Sequence, residues 1–149
     1  MSEKTRVVVV DDHALLRRGV IRALELDDMI EVVGDGASAT DAIELTKMYA
    51  PDLILLDISM PGNGIAAARA IRDLATPTCV VMLTVSGDED HVMHALEAGA
   101  IGYLLKGTNA QDLITAVKSV KAGGPFISPN LALPMLSNNA QVEMRASSP

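Results

Sequence analysis

Short runs of apolar residues alternate along the chain with segments in which apolar residues recur at helical spacing. Five runs have the length of strands: Arg6–Val10, Ile30–Asp35, Leu53–Leu56, Thr78–Leu83 and Ile101–Leu104. Most of these runs are continuously apolar rather than alternating, which is typical of parallel strands that helices cover on both faces. The pattern therefore predicts an α/β domain built on a parallel sheet.

Three of the segments that follow these runs carry an apolar stripe, as amphipathic helices do. The stripes consist of Leu16, Val20 and Leu24, then Ala42, Thr46 and Ala50, and finally Leu113, Val117 and Val120. Ser38 stands three residues before Asp41, and Asn109 stands three residues before Asp112. This spacing is typical of reciprocal helix N-caps. Five such β/α units predict a doubly wound sheet, whose ligand crevice lies beyond the carboxyl ends of the strands.

Length and composition indicate the number of domains and the cellular compartment. The chain has 149 residues, 49% of them hydrophobic, which predicts one domain with a sizeable core. We expect a domain over residues 1–122 and a partly disordered linker or tail over 123–149, because Gly123-Gly124-Pro125 ends the last helix. The net charge of −7 argues against a nucleic-acid surface. A single cysteine and the lack of a long apolar run predict a cytoplasmic protein that binds no membrane.

Polar and charged side chains follow the predicted strands directly. Asp11 and Asp12 follow the first strand, Asp57 the third, Thr84 the fourth and Lys106 the fifth. Two carboxylates about 4 Å apart repel by roughly 4 kcal/mol at an effective dielectric near 20, so a cluster of three needs a cation. Carboxylate oxygens suit Mg²⁺, and Lys106 adds a fixed positive charge. A carboxylate in such a site can act as a nucleophile and become an acyl phosphate.

With these acids, the threonine and the lysine directly after successive strands, the sequence resembles the receiver domain of two-component response regulators. The matching stretches are VVVVDDHALLRRG, PDLILLDISMPG, VVMLTVSG and GAIGYLLKG, which together span almost all of the first 122 residues. The DDH beginning and the YLLK ending, followed by ISP, are similar to the NarL/FixJ-type subfamily, whose receivers usually precede a LuxR-type helix-turn-helix. The resemblance implies a flavodoxin-like fold with five parallel strands in the order 2-1-3-4-5.

The resemblance also implies the roles of the acids. Asp57 would be the phosphoacceptor, phosphorylated by a partner histidine kinase with Mg²⁺ as cofactor. Asp12, Asp57 and the backbone carbonyl of Ser59 would bind the Mg²⁺, and Asp11 would bind it through a water molecule. The chain would be no enzyme in the usual sense, since it would catalyse only its own phosphorylation and dephosphorylation.

The resemblance assigns roles to three more residues, of which two would contact the phosphoryl group and one would change conformation on activation. By the same resemblance Thr84 and Lys106 bind the phosphoryl oxygens, and the aromatic ring of Tyr103 changes rotamer on activation. The face built from a helix at Asp88–Ala98, the last strand and the last helix would then switch its output. That output is expected to be transcription through a DNA-binding domain missing from this chain, with a homodimer as a possible phosphorylated state.

The sequence departs from the usual receiver pattern at three positions. The loop MPGNG is one residue shorter than the common M-P-x-x-x-G, which leaves the start of the next helix open. Gly107 replaces the proline that often follows the lysine, so no cis bond is expected there. Val85 is bulkier than the usual alanine or glycine, and we expect it to slow the access of water to the acyl phosphate.

Three other functions compete with this one. A phosphatase with an aspartyl nucleophile usually carries D-x-D, whereas Asp57 is followed two residues later by Ser59. A nucleotide-binding domain would need a glycine-rich loop after the first strand, which the sequence lacks. A stand-alone receiver that acts by protein–protein binding or as a phosphate sink stays open. His91 and His94 could form a metal pair, but a solvated helix face is the favoured interpretation.

Overall fold

The computed structural model describes residues 4–58, 63–74, 76–84, 97–106 and 108–123, together with the backbone of residues 126–127. Within these ranges all strands are parallel and form one sheet in the order β2-β1-β3-β4-β5-β6. The strands are β1 (Thr5–Val10), β2 (Ile30–Gly36), β3 (Leu53–Asp57), β4 (Cys79–Thr84), β5 (Gly102–Leu105) and β6 (Phe126–Ile127). The order of the first five confirms the prediction.

The sixth strand is an addition that the hydrophobic pattern did not predict. It has two residues, pairs with β5 through Gly102 and Tyr103, and lies in the segment that we expected to be a linker. A strand this short has no periodicity to detect, because only its pairing with an open sheet edge defines it. The predicted five-stranded sheet is thus extended to six strands, and β5 is no longer an edge strand.

Four helices connect the strands in the described part of the chain. They are α1 (Ala14–Glu25), α2 (Ala39–Tyr49), α3 (Gly64–Asp73) and α4 (Ala110–Lys121). The helix predicted at Asp88–Ala98 falls largely on residues 85–96, which lie outside the described residues, as do Val85 and Gly107. None of the helices in the described ranges is long and apolar enough to cross a bilayer.

Two of the helix starts follow the predicted capping residues. The side chains of Ser38 and Asn109 accept hydrogen bonds from the backbone N–H groups of Asp41 and Asp112, at 3.2 and 2.8 Å. The return bond of a full capping box is absent at these two described starts, since Asp41 accepts from the N–H of Ala37 instead. An aspartate is one methylene shorter than the glutamate that usually closes the box, and it therefore reaches a different donor.

The continuous apolar runs are explained by two cores, one on each face of the sheet. Successive strand residues point to opposite faces, so Val8 and Val10 enter one core while Val7 and Val9 enter the other. Helices α2 and α3 cover the first core, and α1 and α4 cover the second. The strands of the sheet centre are therefore held from both sides, and their carboxyl ends are fixed in place.

The amino ends of the strands are joined around Asp52. Its carboxylate accepts hydrogen bonds from the backbone N–H of Arg6 at 2.8 Å and from the ammonium of Lys121 at 2.9 Å. Its backbone carbonyl accepts from the N–H of Cys79 at 3.0 Å. Burial raises the pKa of the Asp52 carboxyl, but the bonds from Arg6 and Lys121 outweigh it and hold the pKa below its usual value. Strands β1, β3 and β4 and the end of α4 thus meet at one charged residue.

Gly64 places the start of α3 directly against the end of β3. A Cβ atom at this position would lie 2.3 Å from the backbone oxygen of Asp57 and 2.7 Å from the Cα of Ile58. The preceding Asn63 has φ +71° and caps the helix by accepting from the N–H of Ile65 at 2.9 Å. The short MPGNG loop therefore delivers its glycine to the first position of α3, where only a glycine fits, and this answers where the helix begins.

Gly64→Ala is predicted to destabilise the fold, because its methyl group would have to displace the backbone at Asp57. We expect the free energy of unfolding to fall by about 1–3 kcal/mol, the usual cost of overpacking. Gly19→Ala is the matched control, since Gly19 lies within α1 and a Cβ atom added there would have open space for 4 Å around it. The control should raise the free energy of unfolding by about 0.5–1 kcal/mol. Urea unfolding measures both, and equal effects of the two substitutions would contradict the close contact.

Asp52→Asn is predicted to lower stability in a pH-dependent way. Because the pKa of Asp52 is lower in the folded than in the unfolded chain, its carboxylate stabilises the fold above the ordinary aspartate pKa, and this stabilisation disappears as the pH falls through the folded-state pKa. The side chain is 32% exposed, so we expect a loss of less than about 1 kcal/mol at neutral pH. Urea unfolding of both proteins between pH 7 and pH 2 should show a converging difference. A difference that grows on acidification would refute this role.

Candidate functional site

The carboxyl ends of four neighbouring strands bring the predicted residues to one edge of the sheet. Asp11 follows β1, Asp57 ends β3, Thr84 ends β4 and Lys106 follows β5. Asp11 and Asp57 have no exposed surface, and Thr84 is 3% exposed. The strands are parallel and neighbouring, so the fold itself, rather than a flexible loop, sets the distances between these side chains.

One ammonium group lies between the two buried carboxylates. The Nζ atom of Lys106 is 3.2 Å from Asp11 Oδ2 and 3.1 Å from Asp57 Oδ2, and the lysine side chain is only 6% exposed. The backbone N–H of Lys106 also donates to the carbonyl oxygen of Thr84 at 2.7 Å, which ties the end of β5 to the end of β4. Burial of charges is tolerated here because opposite charges lie within ion-pair distance. Two carboxylates share one cation, so the group keeps a net negative charge.

Asp12 adds a third carboxylate at the outer side of this group. Its side chain is 35% exposed, in contrast to that of Asp11. Ligand atoms of Asp11, Asp12, His13 and Asp57 all lie within 4.8 Å of one another. His13 contributes its backbone N–H, which donates to Asp11 Oδ1 at 2.8 Å, and its ring, whose Nδ1 is 3.3 Å from Asp12 Oδ1. The site is thus anionic, partly open to solvent and rich in oxygen ligands.

The donor set fits a hard divalent cation. Three carboxylates and one ammonium give the site a formal charge of −2 at neutral pH, which a divalent ion would balance. Asp11 Oδ2 is buried, and no donor among the described residues reaches it with hydrogen-bond geometry, so it can accept a ligand or an ordered water. Carboxylate oxygens with room for water molecules are what Mg²⁺ prefers. Ser59, whose carbonyl we expect to be a further ligand, lies outside the described residues.

Arg17 supports the site in a way that the sequence did not reveal. The side chain of Arg17 is only 19% exposed, although it lies on the outer helix α1. Its guanidinium donates to the carbonyl oxygen of Asp11 at 2.7 Å and to Asp35 Oδ2 at 2.8 Å. A basic residue in the first turn of a helix opposes the helix dipole, and this unfavourable position is the signal that an acidic partner lies nearby.

Tyr103 is completely buried on β5. Its ring belongs to the core that α2 and α3 cover, and its backbone pairs with Met82 on one side and Ile127 on the other. The ring has no exposed surface, and β5 is flanked by β4 and β6 rather than lying at the edge of the sheet. The predicted change of rotamer on activation stays a prediction.

Comparison with known proteins agrees with this arrangement. The family model described as "Response regulator receiver domain" matches residues 7–118. Transcriptional regulatory protein DegU of Brevibacillus brevis is 44% identical over 131 residues, which are 87% of this chain and 56% of that protein. The chain thus spans little more than half the length of this relative.

Two solved structures are similar over most of the chain. The signal receiver domain of NarL from Mycobacterium tuberculosis has a TM-score of 0.79 and 42% identity, covering 81% of this chain and 98% of that one. A LuxR-family two-component response regulator from Aurantimonas sp. SI85-9A1 has a TM-score of 0.88 and 30% identity, covering 93% of this chain and 99% of that one. The chain belongs to the response regulator receiver domains, and within them it is of the type found in NarL- and LuxR-family regulators.

Proposed function

We propose that the chain is a phosphorylation-controlled switch that accepts a phosphoryl group on Asp57 from a partner histidine kinase. One observation carries this proposal: Asp57 is a fully buried carboxylate at a strand end, with Lys106 Nζ 3.1 Å away and the ligand atoms of Asp11 and Asp12 within 4.8 Å. A structural ion pair would need one acid for one lysine, whereas this site gathers three acids. The surplus of negative charge supports a site for a cation and a transferred phosphoryl group.

In the proposed transfer, a carboxylate oxygen of Asp57 attacks the phosphorus atom of a phosphohistidine. The P–O bond to Asp57 forms as the P–N bond breaks, and the electron pair of that bond returns to the imidazole of the kinase. Lys106 is placed to neutralise charge on the phosphoryl oxygens, and Thr84 at the end of β4 offers a hydroxyl donor. We propose that water hydrolyses the acyl phosphate in the same site, and that the chain turns over no other substrate.

Mg²⁺ is the proposed cofactor, and when bound it supplies positive charge that stabilises the oxygens of the transferring group. Asp12 and Asp57 would hold it directly, together with the Ser59 carbonyl, and Asp11 would hold it through a water. Asp11 is fully buried and its carbonyl is bound by Arg17, which supports a role in which its carboxylate is held in place and binds the ion only through a water. The side chain of Asp12 is 35% exposed, which leaves its carboxylate accessible to an ion from solvent.

The proposed switch begins at Thr84 and Lys106, which the new phosphoryl oxygens attract. These residues are already joined by a backbone hydrogen bond of 2.7 Å, so a shift of one displaces the other and with it the ends of β4 and β5. Tyr103 lies three residues before Lys106 on β5 and would follow this movement. The affected face consists of the predicted helix at Asp88–Ala98, β5 and α4.

The output is proposed to be control of transcription through a DNA-binding domain. The relative DegU is named a transcriptional regulatory protein, and this chain spans 56% of its length, which supports a receiver that acts on a separate output domain. Such a receiver works where the phosphohistidine of its kinase lies, which we propose to be the cytoplasm. Homodimer formation after phosphorylation is the proposed means of coupling the receiver to its output.

Asp57→Ala is predicted to abolish phosphorylation. Incubation of the wild-type chain with acetyl phosphate and Mg²⁺ should add the mass of one phosphoryl group, measured by intact mass spectrometry, because the site itself supplies the charge stabilisation. The variant should gain none. Asp28→Ala is the matched control, since Asp28 is exposed and lies beside the amino end of β2, away from the site. Undiminished labelling of Asp57→Ala would end the assignment.

Mg²⁺ is predicted to stabilise the folded chain by mass action. At a tenfold excess over its dissociation constant, the free energy of unfolding should rise by about 1.4 kcal/mol. Asp12→Asn should abolish most of this increase and should itself raise the stability of the metal-free chain, because it removes one of three like charges. Thermal unfolding with and without Mg²⁺ measures both effects, and Asp28→Asn should behave as wild type. An increase that is the same in Asp12→Asn and in wild type would contradict the proposed ligand.

A further inference from the structure

His13 occupies a helix N-cap without acting as one. It precedes α1, where serine, threonine, aspartate and asparagine are the preferred residues, and its side chain makes no capping hydrogen bond. The ring instead faces the acids, with Nδ1 3.3 Å from Asp12 Oδ1 and 3.5 Å from Asp11 Oδ1. The side chain is 70% exposed, so packing does not force it into this position. The ring nitrogen thus lies within the acid cluster, and the side chain neither caps the helix nor packs in the core.

The distances fit joint ligation better than direct hydrogen bonding. A charge-assisted N–H···O bond is usually about 2.7–2.9 Å long, and both distances from Nδ1 exceed this. Two ligand atoms that each lie about 2.0–2.1 Å from one metal ion are roughly 2.8–3.0 Å apart at octahedral angles and roughly 3.3–3.4 Å apart at tetrahedral angles. The separation from Asp12 Oδ1 is that of tetrahedral ligands, and the exposed His13 ring has room to approach by the few tenths of an ångström that octahedral ligation requires. The nitrogen is therefore spaced from the aspartate as a second ligand of the same ion.

We propose that His13 is a nitrogen ligand of the metal site and that it gives the site a preference for borderline divalent cations such as Ni²⁺. The inference rests on the proposed function, because it assigns one more ligand to the same site. Mg²⁺ takes oxygen ligands, whereas imidazole suits Ni²⁺, Cu²⁺ and Zn²⁺. With Asp11, Asp12 and Asp57 alone the site would discriminate little beyond the general affinity order of these metals. With His13 it becomes a mixed nitrogen and oxygen site that a transition-metal ion can occupy in competition with Mg²⁺.

The test compares the affinities of Ni²⁺ and Mg²⁺ in matched variants. The chain has three histidines, so His91→Gln and His94→Gln are introduced first to remove the other imidazoles, and this double variant is the parent. His13→Gln is then made in the parent, and both dissociation constants are measured by calorimetry at a pH above the ordinary pKa of histidine. We expect the preference for Ni²⁺ over Mg²⁺ to fall at least about tenfold, because His13→Gln removes a ligand of Ni²⁺ but none of Mg²⁺.

A spectroscopic readout separates ligation from a change in charge. Cu²⁺ added to the parent should show nitrogen coupling in its electron paramagnetic resonance spectrum, and this coupling should disappear in His13→Gln. An unchanged Ni²⁺ preference, or nitrogen coupling that persists in His13→Gln, would overturn the inference.

Asp12→Asn in the same parent distinguishes a wrong assignment of His13 from a wrong assignment of the whole metal site. If Mg²⁺ affinity depends on Asp12 but the Ni²⁺ preference does not depend on His13, the acid site stands and His13 is no ligand. If Mg²⁺ affinity does not depend on Asp12, the proposed metal site is wrong and the assignment of His13 is overturned with it.

Discussion

The ammonium of Lys106 between two fully buried carboxylates is the interaction on which the site depends. The Nζ atom of Lys106 lies 3.2 Å from the Asp11 carboxylate and 3.1 Å from the Asp57 carboxylate, and this proximity offsets the cost of burying both acids. Removal of one member of such a buried group typically costs about 3–5 kcal/mol, because it leaves charge uncompensated. The arrangement still carries surplus negative charge when Asp12 is counted. The site is therefore held together by one cation and is suited to bind another.

The contacts that join the strands and the residues of the candidate site lie at opposite ends of the sheet. At the amino ends of the strands, Asp52 joins three strands and α4 through bonds that balance its charge. At the carboxyl ends, the charges are left only partly balanced. Gly64 brings α3 against the carbonyl of Asp57, and Arg17 binds the carbonyl of Asp11, so the backbone beneath the acids is fixed although their charges are not satisfied. The contacts that Gly64 and Arg17 make with the backbone thus hold the acids close together despite the repulsion between their negative charges.

The sequence was informative wherever a residue's role follows from its own element. Continuous apolar runs predicted the five strands, because each strand face packs against a helix layer, and strand ends predicted where Asp11, Asp57 and Lys106 would meet. Features that depend on two distant segments escaped prediction. Arg17 contacts Asp11 and Asp35, and Tyr103 pairs through its backbone with β6, a strand too short to leave a pattern. The local sequence does not identify the partners in such contacts.

Location of the phosphoryl group on the wild-type chain tests the central claim most directly. After reaction with acetyl phosphate and Mg²⁺, reduction with borohydride converts an aspartyl phosphate to homoserine, which peptide mass spectrometry can assign to a single position. The account predicts homoserine at position 57 and at no other acid. Reduction at Asp11 or Asp12, or a phosphoryl group that resists borohydride and maps to a hydroxyl or imidazole side chain, would contradict it.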